Sequence, residues 1–247
     1  MTKTRKVFCA VGRNVGDALS PVLLSGLYAE RFRRVDCGHG WLCSGSILHH
    51  AEDNNVVVGT GSFSGLGTNA KGLSVKCVRG PATAKLLGRR DIPFCDAGLL
   101  MPFVIQPSPT KKTHEYGIVP HYVDMNSFTP PDNAVVISPF LPILDFVKNI
   151  QSCSVILSSS LHGLILAEAY GIPAIRIKLQ NTHTIRDFDY KHADYYEGTA
   201  RELPVAVSLA GSMCVEPPRM PASAMKTAGI VHSEIMRGRN EDLRIHV

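Results

Sequence analysis

Residues 155–173 read VILSSSLHGLILAEAYGIP and carry the clearest signal for the fold. A short β-branched run leads into three serines, and an apolar segment then ends at Gly171 with Pro173 just beyond. This order predicts a buried strand followed by a helix over residues 161–170. The carboxyl end of a parallel strand beside a helix N-terminus is where α/β sheets bind ligands, and free N–H groups there favour an anion. We expect His162 to face that anion. The alternative is that the serines only cap the helix and His162 packs between layers.

The same alternation continues on both sides of this stretch. Further β-branched runs predict strands at residues 6–11, 56–58, 74–78, 117–119, 134–137 and 174–177. Apolar periodicity predicts helices over 17–31, 81–87, 142–150 and 222–237. Strands that alternate with helices indicate an α/β fold with parallel sheets and right-handed crossovers. A turn-rich segment near 102–115 divides the chain into predicted halves of residues 1–105 and 106–247. Whether the last helix stays with its own half or crosses back is open.

Composition excludes several classes of protein. The chain has 247 residues, 45% hydrophobic and 19% charged, which is enough to bury a large core. Its apolar runs are too short to span a membrane, and the N-terminus lacks a signal-peptide core. We therefore expect no secretion and a cytoplasmic location, and contact with the inner face of the membrane is an open alternative. Seven scattered cysteines then indicate reduced thiols. A net charge of +5 suits an anionic ligand or, at most, peripheral membrane contact. With only 7% aromatic residues, the chain is not expected to bind nucleic acid.

Three other segments place polar residues where strands end. Asn14, Gly16 and Asp17 open the first long helix, where an acidic residue is also what capping alone selects. Gly61 and Ser62 follow the run at 56–58. Arg79 stands at a strand end just before a helix, where a guanidinium is well placed to bind a carboxylate or phosphate.

A metal site is the weaker interpretation of one further cluster. Cys37, His39 and Cys43 lie close together, but their spacing is not that of a standard zinc pair and no second pair follows. We therefore predict no metal.

The ordered set of motifs resembles that of the polysaccharide pyruvyl transferases. The motifs are Asn-Val-Gly-Asp at 14–17, Gly-Thr-Gly-Ser at 59–62, Val-Arg-Gly-Pro at 78–81, Asp-Ala-Gly-Leu-Leu at 96–100, Val-Pro-His at 119–121, Ser-Ser-Ser-Leu-His-Gly at 158–163, Gly-Ile-Pro at 171–173 and Asp-Tyr-Tyr at 194–196. The resemblance covers roughly residues 6–200. It implies two Rossmann-like halves with a cleft between them, as in GT-B glycosyltransferases.

The resemblance also implies an activity. Members move the pyruvyl group of phosphoenolpyruvate to two hydroxyls of a sugar, leaving a ketal and free phosphate, and they need no cofactor besides that donor. The expected partners are phosphoenolpyruvate and a sugar acceptor, which is lipid-linked or free. His162 and Asp17 match the family's His and Gly-Asp positions and are the expected catalytic residues. The expected donor-binding residues are Arg79, Ser158, Ser159, Ser160, Gly163, His121 and Lys178, and the expected acceptor-binding residues are Asn14, Gly16, Gly61 and Ser62.

One departure from the family pattern concerns charge. Many members carry Arg immediately before Leu-His, and here that position is Ser160. The donor phosphate therefore needs positive charge from elsewhere, and the sequence offers four sources: Arg79, His121, Arg176 and Lys178. Two other functions stay open from the sequence: a GT-B glycosyltransferase that uses a nucleotide sugar, and a non-catalytic relative.

Overall fold

Two parallel five-stranded sheets, each covered by helices, form the framework of the protein. The computed structural model describes residues 4–10, 14–36, 40–108, 111–212, 216 and 220–244, with the side chains of 212 and 239–244 outside the description. Both sheets are made of short apolar strands, and the central strands are buried, as expected where helices cover a parallel sheet. The predicted α/β architecture with two halves is confirmed.

The first sheet comes from the N-terminal part of the chain. Its elements are β1 (Thr4–Phe8), α1 (Val15–Tyr28), β2 (Arg31–Val35), β3 (Trp41–Leu42), β4 (Val56–Val58), β5 (Ser74–Cys77) and α2 (Pro81–Leu86), with 3-10 helices at Leu48–His50 and Ala97–Phe103. The strand order is β2-β1-β3-β4-β5, and each pair of neighbouring strands runs parallel. β1 pairs with β2 from Thr4 opposite Arg31 to Phe8 opposite Val35.

The second sheet follows after residue 113. Its elements are β6 (His114–Val119), β7 (Ala134–Val136), α3 (Ile143–Gln151), β8 (Cys153–Ser158), α4 (Leu161–Ala169), β9 (Ala174–Lys178), α5 (Phe188–Gly198), β10 (Val207–Ser208), α6 (Leu209–Ser212) and α7 (Ala222–Arg244), with 3-10 helices at Tyr122–Asp124 and Thr182–Thr184. The order β10-β9-β8-β6-β7 is again parallel throughout.

The two sheets share one topology, and it determines where ligands can bind. In each sheet the first strand lies between the second and the third, so the chain changes direction beside β1 and β3 in one half and beside β6 and β8 in the other. Ligands bind outside the carboxyl ends of strands at such a switch point. The segments that follow these four strands carry most of the residues singled out above.

A single hydrophobic core joins the halves. One cluster of buried side chains runs from Val7 and Leu23 in the first half to Ile165 and Tyr195 in the second. α4 packs against the 3-10 helix Ala97–Phe103, and α7 packs back against α1 and the same 3-10 helix. The boundary at residues 105 and 106 stays a prediction, because shared packing of this kind does not separate two independent cores.

Several element boundaries differ from those predicted. α1 ends at Tyr28 and not near Arg31, because Ala29 takes the left-handed conformation with φ of 49° and stops the helix. β1 ends at Phe8, before the predicted end at residue 11, which lies outside the described residues. Five elements were not predicted at all: β2, β3, α5, β10 and α6. None of the helices over the described residues is both long and apolar enough to cross a membrane.

Candidate functional site

A cavity of about 380 Å³ lies where the two switch points face each other. Its size falls in the usual range for small-molecule sites. Six of the residues predicted from the sequence line it, three from each half: Asn14, Asp17, Arg79, His121, Ser160 and His162. The structure thus brings together residues that are up to 148 positions apart, counted from Asn14 to His162.

His162 lies in the first turn of α4, directly after the N-cap residue Ser160 and Leu161. Its Nε2 lies 2.8 Å from the Oγ of Ser44, which follows β3 in the other half. Gly16 packs against the imidazole, and a Cβ at that position would overlap Nδ1. Burial, with the nearby positive charges of Arg79 and Lys191, lowers the pKa of His162 to about 3. The ring is therefore neutral near pH 7.

The neighbours of His162 do not form a hydrolase triad. Asp96 Oδ1 lies 3.9 Å from His162 Nε2, the same nitrogen that Ser44 Oγ contacts. A Ser-His-Asp triad needs the serine and the carboxylate on opposite ring nitrogens. Ser44 is also buried, with 2% of its surface exposed, so it is not placed to attack a substrate. Burial raises the pKa of Asp96 to about 6, which Arg79 partly opposes.

Asp17 lies across the pocket in the first turn of α1. Asn14 caps this helix, because its side-chain oxygen accepts from the Asp17 N–H, and its Nδ2 donates to Asp17 Oδ2 over 2.7 Å. Burial raises the pKa of Asp17 to about 6, although Arg34 and the Asn14 hydrogen bond act in the opposite direction. A carboxyl group with this pKa can take or give a proton near neutral pH.

Arg79 lines the pocket but already has a counterion. Its Nε donates to Asp194 Oδ2 over 2.9 Å, and both side chains are fully buried. Its other two nitrogens donate to Ser46 Oγ and to the carbonyl of Ser62. Thr83 donates to the same aspartate through its backbone N–H and its hydroxyl. Arg79 therefore contributes N–H groups to the pocket wall, while Asp194 neutralises its charge.

The three serines at the end of β8, residues 158–160, hold neighbouring backbone segments of the pocket in place. Ser158 Oγ donates to the carbonyl of Val119 and accepts from the Ser160 N–H. Ser159 Oγ accepts from the His121 N–H over 2.8 Å, which ties the ends of β6 and β8 together. Both hydroxyls are buried and occupied by backbone groups, so only Ser160 of the three faces the pocket.

Five further predicted residues do not line the pocket. Gly16 supports His162, Gly61 packs against the Arg79 guanidinium, and Gly163 packs against Ser158 and Val119. Ser62 donates its hydroxyl to the carbonyl of Leu66, and its own carbonyl accepts from Arg79. Lys178 is exposed at the end of β9, away from the pocket.

The sequence analysis missed Lys191, Ser44 and Asp96 as site residues. Lys191 lies on α5, an element that the apolar pattern did not predict, and its side chain reaches the pocket. Ser44 follows β3, which is only two residues long. Asp96 belongs to a motif already quoted for the resemblance, and that motif was the one available signal for it.

The structure describes only part of the zinc candidate. Cys37 and His39 lie outside the described residues, and Cys43 is buried in the core. Among the residues that are described, no group of three His, Cys, Asp or Glu side chains could hold a metal ion.

Comparison with known proteins now gives the site a context. The family model for polysaccharide pyruvyl transferase matches part of the chain. It matches residues 77–181. This match confirms the family resemblance over a segment that holds Arg79, Asp96, His121 and His162. An uncharacterized protein of Acanthamoeba polyphaga mimivirus is 30% identical over 164 residues, which are 61% of this chain and 57% of that protein. The chain thus spans little more than half the length of this relative.

Proposed function

We propose that the protein is a pyruvyl transferase, which moves the pyruvyl group of phosphoenolpyruvate to a sugar in the precursor of an exopolysaccharide or cell-surface polysaccharide. The observation that carries the proposal is the pocket between the halves, where His162 on a helix N-terminus faces Asp17 from the opposite sheet. The match of residues 77–181 to the pyruvyl transferase family supports it. The proposed reaction uses phosphoenolpyruvate as donor and no separate cofactor.

The proposed reaction balances as follows. A proton adds to the methylene carbon of phosphoenolpyruvate, and a sugar hydroxyl forms a C–O bond at the carbon that bears the phosphate. A second hydroxyl then forms the other C–O bond as the bond to phosphate breaks. The two hydroxyls lose two protons, of which one balances the new methyl group and the other leaves with the phosphate. Asp17 has a pKa suited to moving the proton that the first hydroxyl loses.

His162 suits the phosphate better than the methylene carbon. To protonate carbon it would have to be an imidazolium, whereas to bind phosphate a neutral ring with one N–H is sufficient. Its pKa of about 3 favours the second role. A bound dianion also raises the imidazole pKa, which strengthens the contact as phosphate leaves. The free N–H groups at the start of α4 add to this anion site.

The test is release of phosphate from phosphoenolpyruvate, with and without a panel of lipid-linked and nucleotide-linked sugars. We expect acceptor-dependent release, and we expect His162→Ala to lower turnover by about 100-fold or more. His114→Ala, a change at an exposed histidine at the start of β6, is the matched control and should be as active as the wild type. A His162→Ala protein with normal turnover would contradict the assignment. Binding of a nucleotide sugar, with neither release from nor binding of phosphoenolpyruvate, would favour a glycosyltransferase.

A further inference from the structure

Lys191 is a half-buried lysine on which the charge of Asp187 acts without forming an ion pair. It lies in the first turn of α5 and lines the pocket. No hydrogen bond or ion pair joins its ammonium group to any residue that the structure describes, whereas Arg79 nearby is fully paired. Removing an ammonium group from water without a counterion is unfavourable. Such a residue is stable in this position when a ligand supplies the negative charge.

The other cations around the pocket already have neighbours that reduce their charge. Arg79 forms a fully buried ion pair with Asp194. Arg186 lies 4.0 Å from Asp187 and rests over the Phe63 ring, with 61% of its side chain exposed. Over the described part of the chain, Lys191 is therefore the pocket-lining cation that is neither paired nor largely exposed.

Two other sources of charge considered from the sequence are not available to the pocket. Arg176 is buried beneath α5, where it donates to Asp189 and to the carbonyl of Pro204, and it does not line the cavity. Lys178 is exposed at the end of β9. The positive charge that the serine at position 160 does not supply must therefore come from another element, and α5 carries it.

Neutral donors line the same pocket as the ammonium group of Lys191. Lys191 lies close enough to His121 and His162 for its charge to lower the pKa of both rings. His121 Nδ1 is buried and has no hydrogen-bond partner in the described structure. Ser160 and the first residues of α4 also line the pocket, and the first N–H groups of a helix have no partner within it. Several N–H donors around one unpaired cation form an arrangement that fits a phosphate group.

We propose that Lys191 binds the phosphate of the donor, with His121 and His162 as neutral hydrogen-bond partners. The proposal rests on the proposed function for the identity of the donor, but the phosphate chemistry stands on the pocket itself. Lys191 then has two roles: it holds the incoming phosphoenolpyruvate, and it neutralises the charge that develops on phosphate as the C–O bond breaks.

The proposal predicts a pH dependence of phosphate binding. Burial, followed by the charge of Arg79, lowers the pKa of Lys191 to about 8, while Asp187 acts in the opposite direction. The ammonium form exists below this pKa, so affinity should fall as the pH rises above about 8. The other groups that face Lys191 cannot produce this fall, because Arg79 is paired with Asp194 and both His121 and His162 have a pKa of about 3.

The experiment is calorimetric titration of the whole chain with inorganic phosphate and, separately, with phosphoenolpyruvate. We expect Lys191→Gln to weaken both ligands by about 10- to 100-fold and to remove the fall in affinity above about pH 8. Lys191→Arg should restore part of the affinity. Lys148→Gln removes an exposed lysine of α3 and should bind as the wild type does. Melting temperatures verify folding, and Lys191→Gln should melt no lower than the wild type because a buried charge is removed.

The outcomes separate this inference from the proposed function. If Lys191→Gln binds phosphate and phosphoenolpyruvate as tightly as the wild type, the inference is wrong even where turnover is observed. If the wild type binds neither ligand, the inference is also wrong. If the wild type binds both through Lys191 but transfers no pyruvyl group to any acceptor, the phosphate site stands and the proposed reaction does not.

Discussion

His162 is held in place by a residue that has no side chain. Gly16 packs directly against the imidazole, and Ser44 contacts the Nε2 of the same ring. A methyl group at position 16 would overlap Nδ1, so the ring would have to move. We expect Gly16→Ala to lower kcat by about 10- to 100-fold, because a displacement of about 1 Å in a catalytic group has effects of this size. Steady-state kinetics with phosphoenolpyruvate measure it.

Gly229→Ala is the control for this change. Gly229 lies in α7, where an added Cβ would meet nothing within 4 Å. Alanine is the better helix former, so this variant should gain about 0.5–1 kcal/mol in stability and keep its activity. Wild-type kinetics in Gly16→Ala would show that the ring position does not matter for the reaction.

Asp17 illustrates how a site residue can reduce stability. Burial raises its pKa from 3.8 to about 6, so the folded state binds the proton more tightly than the unfolded state does. The resulting stability is complete below pH 3.8 and is lost as the pH rises through about 6. At pH 7 the ionised carboxylate is therefore unfavourable. We expect Asp17→Asn to stabilise the protein by about 2 kcal/mol at pH 7 and to lower turnover.

The comparison of two pH values makes this prediction specific. Chemical denaturation at pH 7 should show the gain for Asp17→Asn, and the same measurement at pH 4 should show almost none. An equal gain at both values would mean that the effect comes from packing and not from the buried charge.

Among the elements, α4 is the one that the sequence describes best. The helix begins at Leu161 and ends at Ala169, within one residue of the prediction, because its start follows the three serines and its end precedes Gly171 and Pro173. Gly171 has φ of 71°, and a Cβ added there would meet nothing within 4 Å, so only the backbone conformation requires glycine at this position. We expect Gly171→Ala to lower the free energy of unfolding by about 1 kcal/mol.

Asparagine at position 171 tests whether the left-handed backbone conformation causes this loss of stability. Asn adopts the left-handed conformation more readily than Ala does, so Gly171→Asn should be less destabilising than Gly171→Ala. Thermal denaturation of the two variants compares them directly. If alanine at this position were neutral, the end of α4 would not depend on the glycine conformation.

The elements that the sequence did not predict are either rich in polar residues or very short. α5 reads FDYKHADYYEG, and its aromatic, acidic and basic residues give no apolar stripe of helical period. β2 reads RFRRV, where only Phe32 is buried because the strand lies at the edge of its sheet. β3 has only two residues. Because α5 is polar, neither the helix nor its site residue Lys191 was predicted. Arg79 and His162 were predicted because each follows a recognisable strand.

At the scale of the whole molecule, the Arg79–Asp194 pair connects the two halves. Arg79 follows β5 and Asp194 belongs to α5, and both side chains are fully buried. Removing one charge leaves the other buried without a counterion, which typically costs 3–5 kcal/mol. We expect Asp194→Asn to lower the unfolding free energy by about this amount. Denaturation of the whole chain measures it.

An exposed aspartate provides the comparison for this pair. Asp132 lies exposed in the loop before β7, and Asp132→Asn should change stability by less than about 0.5 kcal/mol. If Asp194→Asn were equally mild, the buried pair would not hold the halves together. The sequence could suggest neither outcome, because the pairing joins residues 115 positions apart through the tertiary fold.

The measurement that tests the proposed reaction most directly follows the carbon and not the phosphate. The protein is incubated with phosphoenolpyruvate that carries carbon-13 at its central carbon, together with lipid-linked and nucleotide-linked sugars, and the products are read by NMR and mass spectrometry. Pyruvyl transfer predicts that the label becomes the quaternary carbon of a sugar ketal, and that the His162→Ala protein forms none. Label recovered only as pyruvate or unreacted phosphoenolpyruvate, with every acceptor unchanged, would contradict it.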